Sequence, residues 1–285
     1  MTFSEKIKII FQYILPKHFV SVMAGHLANV KTPWFKNLFI TKFAKAYNID
    51  MTPAVEPDLA KYACFNDFFT RAIKMETRPI DSDNNAFCSP VDGAMSQFGK
   101  IDGGKIIQAK YHHYSALELL GGDKALAEKF KDGEFCCIYL APKDYHRIHM
   151  PCDGELISMS HVPGDLFSVN PLTAQNVPNL FARNERVVNI FDTKFGKMAL
   201  VLVGATIVGS IETTWAGNIT PPSRKNIRTW NYNTREVSIK KGEEMGRFKL
   251  GSTVVLLMEN KNWQWDDAVS EEVDLLLGQK LITNN

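Results

Sequence analysis

Cysteine and long apolar runs are both scarce in this sequence. The five cysteines (Cys64, Cys88, Cys136, Cys137 and Cys152) are an odd number without disulfide-like spacing. That excludes a disulfide-stapled scaffold, and the thiols read as reduced, in a protein facing the cytosol. The longest nearly uncharged run, Met198–Ile211, is interrupted by Gly204, Thr206 and Gly209. It is too short to cross a bilayer and reads as buried strands. The opening Met1-Thr-Phe-Ser-Glu5 leads into no short apolar stretch with a small-residue cleavage site, so no secretory signal is expected. Internal repeats and low-complexity tracts are absent. The Gly-x-Ser-x-Gly pattern is missing around Ser252, which disfavours an ordinary α/β-hydrolase.

What is present suits one globular domain, or a domain plus an extension. The chain has 285 residues, is 45% hydrophobic and carries a net charge of +2, enough length to bury a sizeable core. The charge is uneven. The first 49 residues hold seven lysines against one acid, Glu5, so the remainder is mildly acidic. A basic segment on an acidic body points to a polyanionic surface as partner.

Phe3, Ile7, Ile10, Phe11 and Ile14 share one helical face, which Pro16 ends. Thr32-Pro33 reads as an N-cap followed by proline at the first helical position. Trp34, Phe35, Leu38 and Phe39 follow, interleaved with Lys36, Lys42 and Lys45. Short amphipathic helices with aromatics and lysines suit an interfacial membrane anchor, although such a face also packs on a protein core. A further helix is expected over Tyr62–Ile73. Ser115–Glu118 is a capping-box pattern, and Gly121-Gly-Asp123 restarts a helix through Lys129. From Phe135 onward the pattern turns to strands: Phe135–Leu140, Glu155–Ser160, Arg186–Asp192, Lys197–Val203, Thr206–Ile211, Val237–Ile239 and Thr253–Met258. Few helix-length segments separate them, so the sheets should be mainly antiparallel. The fold class is therefore α+β, with N-terminal amphipathic helices on a mainly antiparallel β body.

Three clusters have residue types suited to chemistry. Gly251-Ser252 lies at the mouth of an apolar strand. A glycine carbonyl is open to approach, and the neighbouring serine hydroxyl can attack it, turning the peptide into an ester; a plain loop-to-strand junction explains the same residues. Tyr145-His-Arg-Ile-His149-Met-Pro151 places His146 and His149 three apart in a loop beside a sheet. They suit a base and a second proton donor or acceptor, metal ligands with Cys152 as a third, or ordinary loop histidines. Ser89-Pro-Val-Asp92-Gly93 is first a turn, and Asp92 is also placed to orient a histidine.

At these residues the chain resembles the bacterial phosphatidylserine decarboxylase family, pyruvoyl-dependent and of prokaryotic type I. The resemblance spans essentially the whole chain. It takes in Phe65-Asn-Asp-Phe-Phe-Thr-Arg71, Arg78-Pro-Ile-Asp81, Ser89–Gly93, Tyr145–Pro151, Ser168–Arg186, Val203–Glu212 and Gly246–Thr253. It implies a proenzyme cut between Gly251 and Ser252 into a β chain, 1–251, and an α chain, 252–285, which stay associated. Ser252 would become a covalent pyruvoyl group, with neither pyridoxal phosphate nor a metal. That group would form a Schiff base with phosphatidylserine and release CO2 to give phosphatidylethanolamine. His149 would activate Ser252, Asp92 would orient His149, and His146 would serve decarboxylation. The resemblance also implies a helical membrane-associating segment over 1–60 and a catalytic domain over 61–285. The partner would be an anionic membrane on the cytoplasmic side, with peripheral attachment, a homodimer of αβ pairs and no nucleic acid. Two rivals from other classes stand beside this reading: a Ser-His-Asp lipid hydrolase that leaves its chain intact, and a non-catalytic peripheral membrane protein.

Overall fold

The computed structural model describes residues 2–109, 112–206, 210–220, 226–233, 236–249, 252–259 and 261–285. Helix α1 (Phe3–Ile14) opens on a Thr2/Glu5 capping box. Helices α2 (Lys17–Ala28) and α3 (Pro33–Ala46) follow. Pro16, expected only as a stop, is also the N-cap position of α2. Thr32 stands at the N-cap of α3 with Pro33 next, but its side chain makes no capping bond.

The helix expected over Tyr62–Ile73 shortens to α4 (Phe65–Phe69). Its ends are claimed by other partners. Tyr62 donates its hydroxyl to the Glu56 carbonyl at 2.6 Å, Ala63 N–H is capped by Asp67 at 2.9 Å, and Ile73 bridges Ala54. Phe65, Phe68 and Phe69 are all buried and form a cluster with Ala28, Ile40 and Tyr62. This cluster fastens α2 and α3 to the body. Helix α1 is fastened separately, by Ile9, which joins the core around Phe167 and Phe181.

The body is a nine-stranded sheet among the described residues, paired antiparallel throughout. Its centre runs Arg186–Thr193, Gly196–Val203, Ser252–Met258, Glu134–Leu140 and Gly93–Lys100. All seven residues of Ser252–Met258 are buried. Val254, Leu256 and Met258 point into one apolar cluster, Val255 and Leu257 into the other, the period-two alternation of a strand covered on both faces. Full burial of each such side chain contributes about 1.5–3 kcal/mol. Gly93 permits the close approach of its neighbour, because a Cβ there would lie 2.5 Å from the Tyr139 carbonyl oxygen.

The helices over Ala116–Leu119 and Lys124–Lys129 form behind Ser115 and Asp123 caps, as their patterns require. The strand expected over Thr206–Ile211 does not begin at Thr206, which lies in a turn; the strand is Ile211–Thr213, and 207–209 lie outside the described residues. The histidine segment expected as a loop contains a short strand, Arg147–His149, paired with Glu244–Phe248. The five cysteines are free and buried. No helix among the described residues is long and apolar enough to cross a membrane.

Candidate active site

Strand pairing sets Ser252 and the turn that leads to His146 at one end of the sheet. Ser252, the first residue of the central strand, pairs with Leu140. The chain turns directly after Leu140, through Ala141 and Asp144, to reach His146. From the other side Phe248 N–H donates to the His146 carbonyl at 3.0 Å. Phe248 and Ser252 thus lie against His146 and Leu140 respectively. Leu250 and Gly251, the latter the expected cleavage partner, lie outside the described residues.

Ser252 is completely buried, and its Oγ has no hydrogen-bond partner among the described residues. An orphaned buried hydroxyl is destabilising by about 1–3 kcal/mol, so its retention requires another explanation. The expectation from sequence that Ser252 is a nucleophile would supply one.

His146 is also fully buried, stacked on Phe69 with ring centres 4.0 Å apart. Its Nε2 donates to the Ala141 carbonyl at 3.1 Å. A carbonyl only accepts, so the proton is on Nε2 and the Nδ1 lone pair is free; Nδ1 has no partner among the described residues. Burial, reinforced by the Arg71 cation, pushes His146 down to about 3. The ring is neutral at physiological pH.

His149 has the opposite tautomer. Nδ1 donates to the Gly242 carbonyl at 2.8 Å, and Nε2 accepts from the Tyr145 hydroxyl at 3.1 Å. Burial lowers its pKa, partly offset by the bond to Gly242. Its backbone N–H donates to the Pro90 carbonyl at 2.9 Å, which fixes it beside the Ser89–Gly93 turn.

Asp92 occupies that turn without a hydrogen bond to His149. Its carboxylate accepts from Arg78 Nε at 2.8 Å and Nη2 at 2.7 Å, and from Leu277 N–H at 2.8 Å. The sequence suggested that Asp92 orients His149; the contacts that orient the ring are Gly242 and Tyr145. Asp92 acts on His149 through space, where its charge favours the imidazolium. Sequence reading missed Tyr145, Arg78 and Gly242. The first two lie inside quoted motif stretches, Tyr145–Pro151 and Arg78–Asp81. Gly242 is 93 residues from His149 and left no local signal.

A cavity of about 370 Å³ opens beside the reactive end of the sheet, lined by Tyr139, Leu140, Phe69, Tyr47, Ser168 and Thr206 among others. Its wall contains Leu140, the register partner of Ser252, and it reaches the aromatics of α3 and α4. No group of three His, Cys, Asp or Glu side chains among the described residues is placed to hold a metal ion. Cys152, considered as a third ligand, turns its thiol to the Asp153 carbonyl.

A family model described as phosphatidylserine decarboxylase matches residues 65–283, and one described as PSD matches 7–48. The chain is 55% identical over 278 residues to a phosphatidylserine decarboxylase proenzyme of Aliivibrio salmonicida, covering 96% of this chain and 97% of that one. It is 56% identical over 270 residues to that of Idiomarina loihiensis, covering 94% and 92%. The proenzyme of Pseudoalteromonas translucida is 57% identical over 276 residues, covering 95% and 96%. With the family model matching well over half of its length and these relatives matching nearly all of it, the chain belongs to the phosphatidylserine decarboxylase family.

Proposed function

We propose that this chain is a proenzyme that cuts its own Gly251–Ser252 bond and then decarboxylates phosphatidylserine to phosphatidylethanolamine. The observation that carries this reading is the buried Ser252 Oγ at the tip of the central strand, without a hydrogen-bond partner among the described residues.

Cutting uses the chain's own groups. Ser252 Oγ attacks the Gly251 carbonyl carbon, its proton passes to His149 Nε2, and the C–N bond breaks with a proton returned to nitrogen. An ester now joins Gly251 to the serine oxygen. Loss of the Ser252 Cα proton breaks the Cβ–O bond and frees Gly251 as a carboxylate. The dehydroalanine left behind takes up water and loses ammonia. The resulting pyruvoyl group supplies a ketone for the substrate amine and a conjugated carbonyl to receive electrons as CO2 leaves. His146 serves this second half. Its Nδ1 lone pair is free to accept a proton and return it, and its neutral state persists across physiological pH. Phe69, stacked on His146, and the largely apolar cavity wall keep water from the site, which favours loss of a carboxylate charge.

The lipid substrate suits the surface. Phe3, Phe11, Ile14, Phe19 and Trp34 are each more than half exposed on α1–α3. Lys6, Lys8, Lys31, Lys42 and Lys45 are exposed with them, while Lys17 and Lys36 are buried against carbonyls of the protein itself. Apolar rings with peripheral lysines fit an anionic bilayer surface. We read this as peripheral attachment of the 1–60 segment on the cytoplasmic side. On the family resemblance, the α and β chains stay together and pair as a homodimer.

Intact mass under denaturing conditions tests the reading. Two chains are expected, the smaller starting at position 252 and one ammonia lighter than hydrolysis would leave it. A single uncut chain, or a free amino-terminal serine, would overturn it.

A further inference from the structure

The loop over 163–170 forms part of the cavity wall and belongs to no strand of the main sheet. On the body side it hangs from Asn184, which is buried and brackets Phe167. Asn184 Oδ1 accepts from Phe167 N–H at 3.0 Å, and its Nδ2 donates to the Phe167 and Gly204 carbonyls, each at 2.9 Å. On the other side the loop is held by α1 and α2. Gln12, in the last turn of α1, accepts the Ser168 amide proton on Oε1 at 2.9 Å; the Thr206 hydroxyl lies 3.5 Å from the same oxygen but donates its proton to the Leu166 carbonyl within the loop. Ser168 and Thr206 come from separate loops and both line the cavity beside Ser252. The contacts around Gln12 reinforce the same grip. The Tyr13 ring meets Phe167 edge-on at 5.1 Å, and Lys17 Nζ lies 4.1 Å over the Phe167 ring. His18 Nε2 donates to the Gly164 carbonyl at 3.1 Å.

We infer that Gln12 is a positioning residue for the substrate: one side-chain oxygen on the lipid-facing helix α1 holds the Ser168 loop that shapes the cavity next to Ser252. The inference rests on reading that cavity as the place of the lipid head group. It makes α1 a structural part of the cavity in addition to its part in attachment. Without the acceptor, the Ser168 N–H has lost its partner, and on the helix side the loop keeps only the Tyr13, Lys17 and His18 contacts.

The test compares wild type with Gln12→Met, which keeps length and loses the acceptor, and Gln12→Glu, which keeps an acceptor oxygen near the cations of Lys17 and Arg183. Amide hydrogen exchange of the 163–170 peptide should be faster in Gln12→Met and close to wild type in Gln12→Glu. With monomeric short-chain phosphatidylserine, Gln12→Met should raise KM about tenfold, the worth of one neutral hydrogen bond, with kcat within about twofold. Gln12→Glu should restore KM. Sedimentation with anionic vesicles should be the same for all three. Unchanged exchange and KM in Gln12→Met, or equal damage in both variants, would overturn the inference. Wild-type protein that is cut but releases no CO2 would sink the functional reading and the substrate half of this one, while the exchange data would still decide whether Gln12 tethers the loop.

Discussion

Replacing Tyr145 by phenylalanine should speed self-cutting. The Tyr145 hydroxyl donates to His149 Nε2, the lone pair that takes the proton of Ser252 in the proposed cut. Burial pushes the phenol pKa up, so the hydroxyl stays protonated and remains a donor at every physiological pH. His149 therefore has to shed this bond before it serves as base. A neutral buried hydrogen bond is worth about 1 kcal/mol net. Removing that cost from the path to the transition state corresponds to about fivefold in rate. The phenyl ring should keep its packing with Ile73 and Leu277, while the fold loses about 1–2 kcal/mol because His149 Nε2 is left without a partner. The assay is a pulse of labelled precursor from cell-free translation, chased on a denaturing gel, with thermal melting on the same proteins. Slower cutting in Tyr145→Phe would refute the reasoning and make the phenol a carrier of the proton instead of a cap on the base.

Ser252→Ala should leave the precursor uncut and inactive, and its melting temperature should hold or rise, because the lost hydroxyl has no partner among the described residues; a marked fall would mean that Oγ is structurally bonded. Cutting should depend on neutral His149. Its pKa is lowered in the fold, so the rate should rise with pH to a midpoint below 6.5 and be flat from 7 to 8; a midpoint above 7 would point to another base. His146 is held neutral down to about 3, against an ordinary value of 6.5. Between those values the unfolded chain binds a proton that the folded chain refuses, so this contribution is complete above pH 6.5 and is lost as pH falls toward 3. At roughly 1.4 kcal/mol per unit the effect amounts to several kcal/mol, and His146→Phe should flatten the acid limb of a melting-temperature profile; an unchanged limb would exonerate His146. Vesicle binding should weaken in high salt without vanishing, since the five exposed lysines contribute about 1 kcal/mol each near the surface and the apolar part is salt-independent. Phe11→Asp with Trp34→Asp should release the protein more fully than salt; equal binding would mean that this face is covered by protein.

The elements most legible in the sequence were those whose local chemistry agreed with their final environment. The strand Thr253–Met258 is an uninterrupted apolar run, and Ser115 and Asp123 carry their own helix-start signals, so these emerged within a residue of their bounds. Gly93–Lys100 and Glu244–Phe248 were missed because glycines, glutamine, methionine and charged residues fill them in place of β-branched ones. Sheet pairing holds them there, and in the second case Arg147 meets Glu244 across the ladder while Arg247 meets it along the same strand. Helix α2 escaped because Pro16 was taken only as an end. The residues Ser252, His146, His149 and Asp92 stood out through their motifs; Ser252 begins the central strand, and His149 lies on a short strand of the separate four-stranded sheet. Their wiring was not legible. The tautomers of the two histidines are set by the Ala141 and Gly242 carbonyls, and which carbonyl faces which ring is decided by the turn after Leu140 and by the pairing that brings a segment 93 residues distant in sequence alongside His149.

The central position of Ser252–Met258 has a consequence for the life of the cut protein. The strand is clasped by Gly196–Val203 on one side and Glu134–Leu140 on the other, so scission at its tip removes a covalent link and no ladder bond. Before the cut, unfolding is an event within one molecule. Afterwards it yields two molecules, and the covalent tether that kept the tail at high effective concentration is gone. The melting midpoint of the mature form should then depend on dilution, and reassembly should be second order. A precursor that unfolds can try again, whereas a mature pair that comes apart releases a short, strongly apolar strand with no partner. The cell can therefore use the mature form only for as long as it resists its first unfolding, and the stability relevant to it is the height of that barrier.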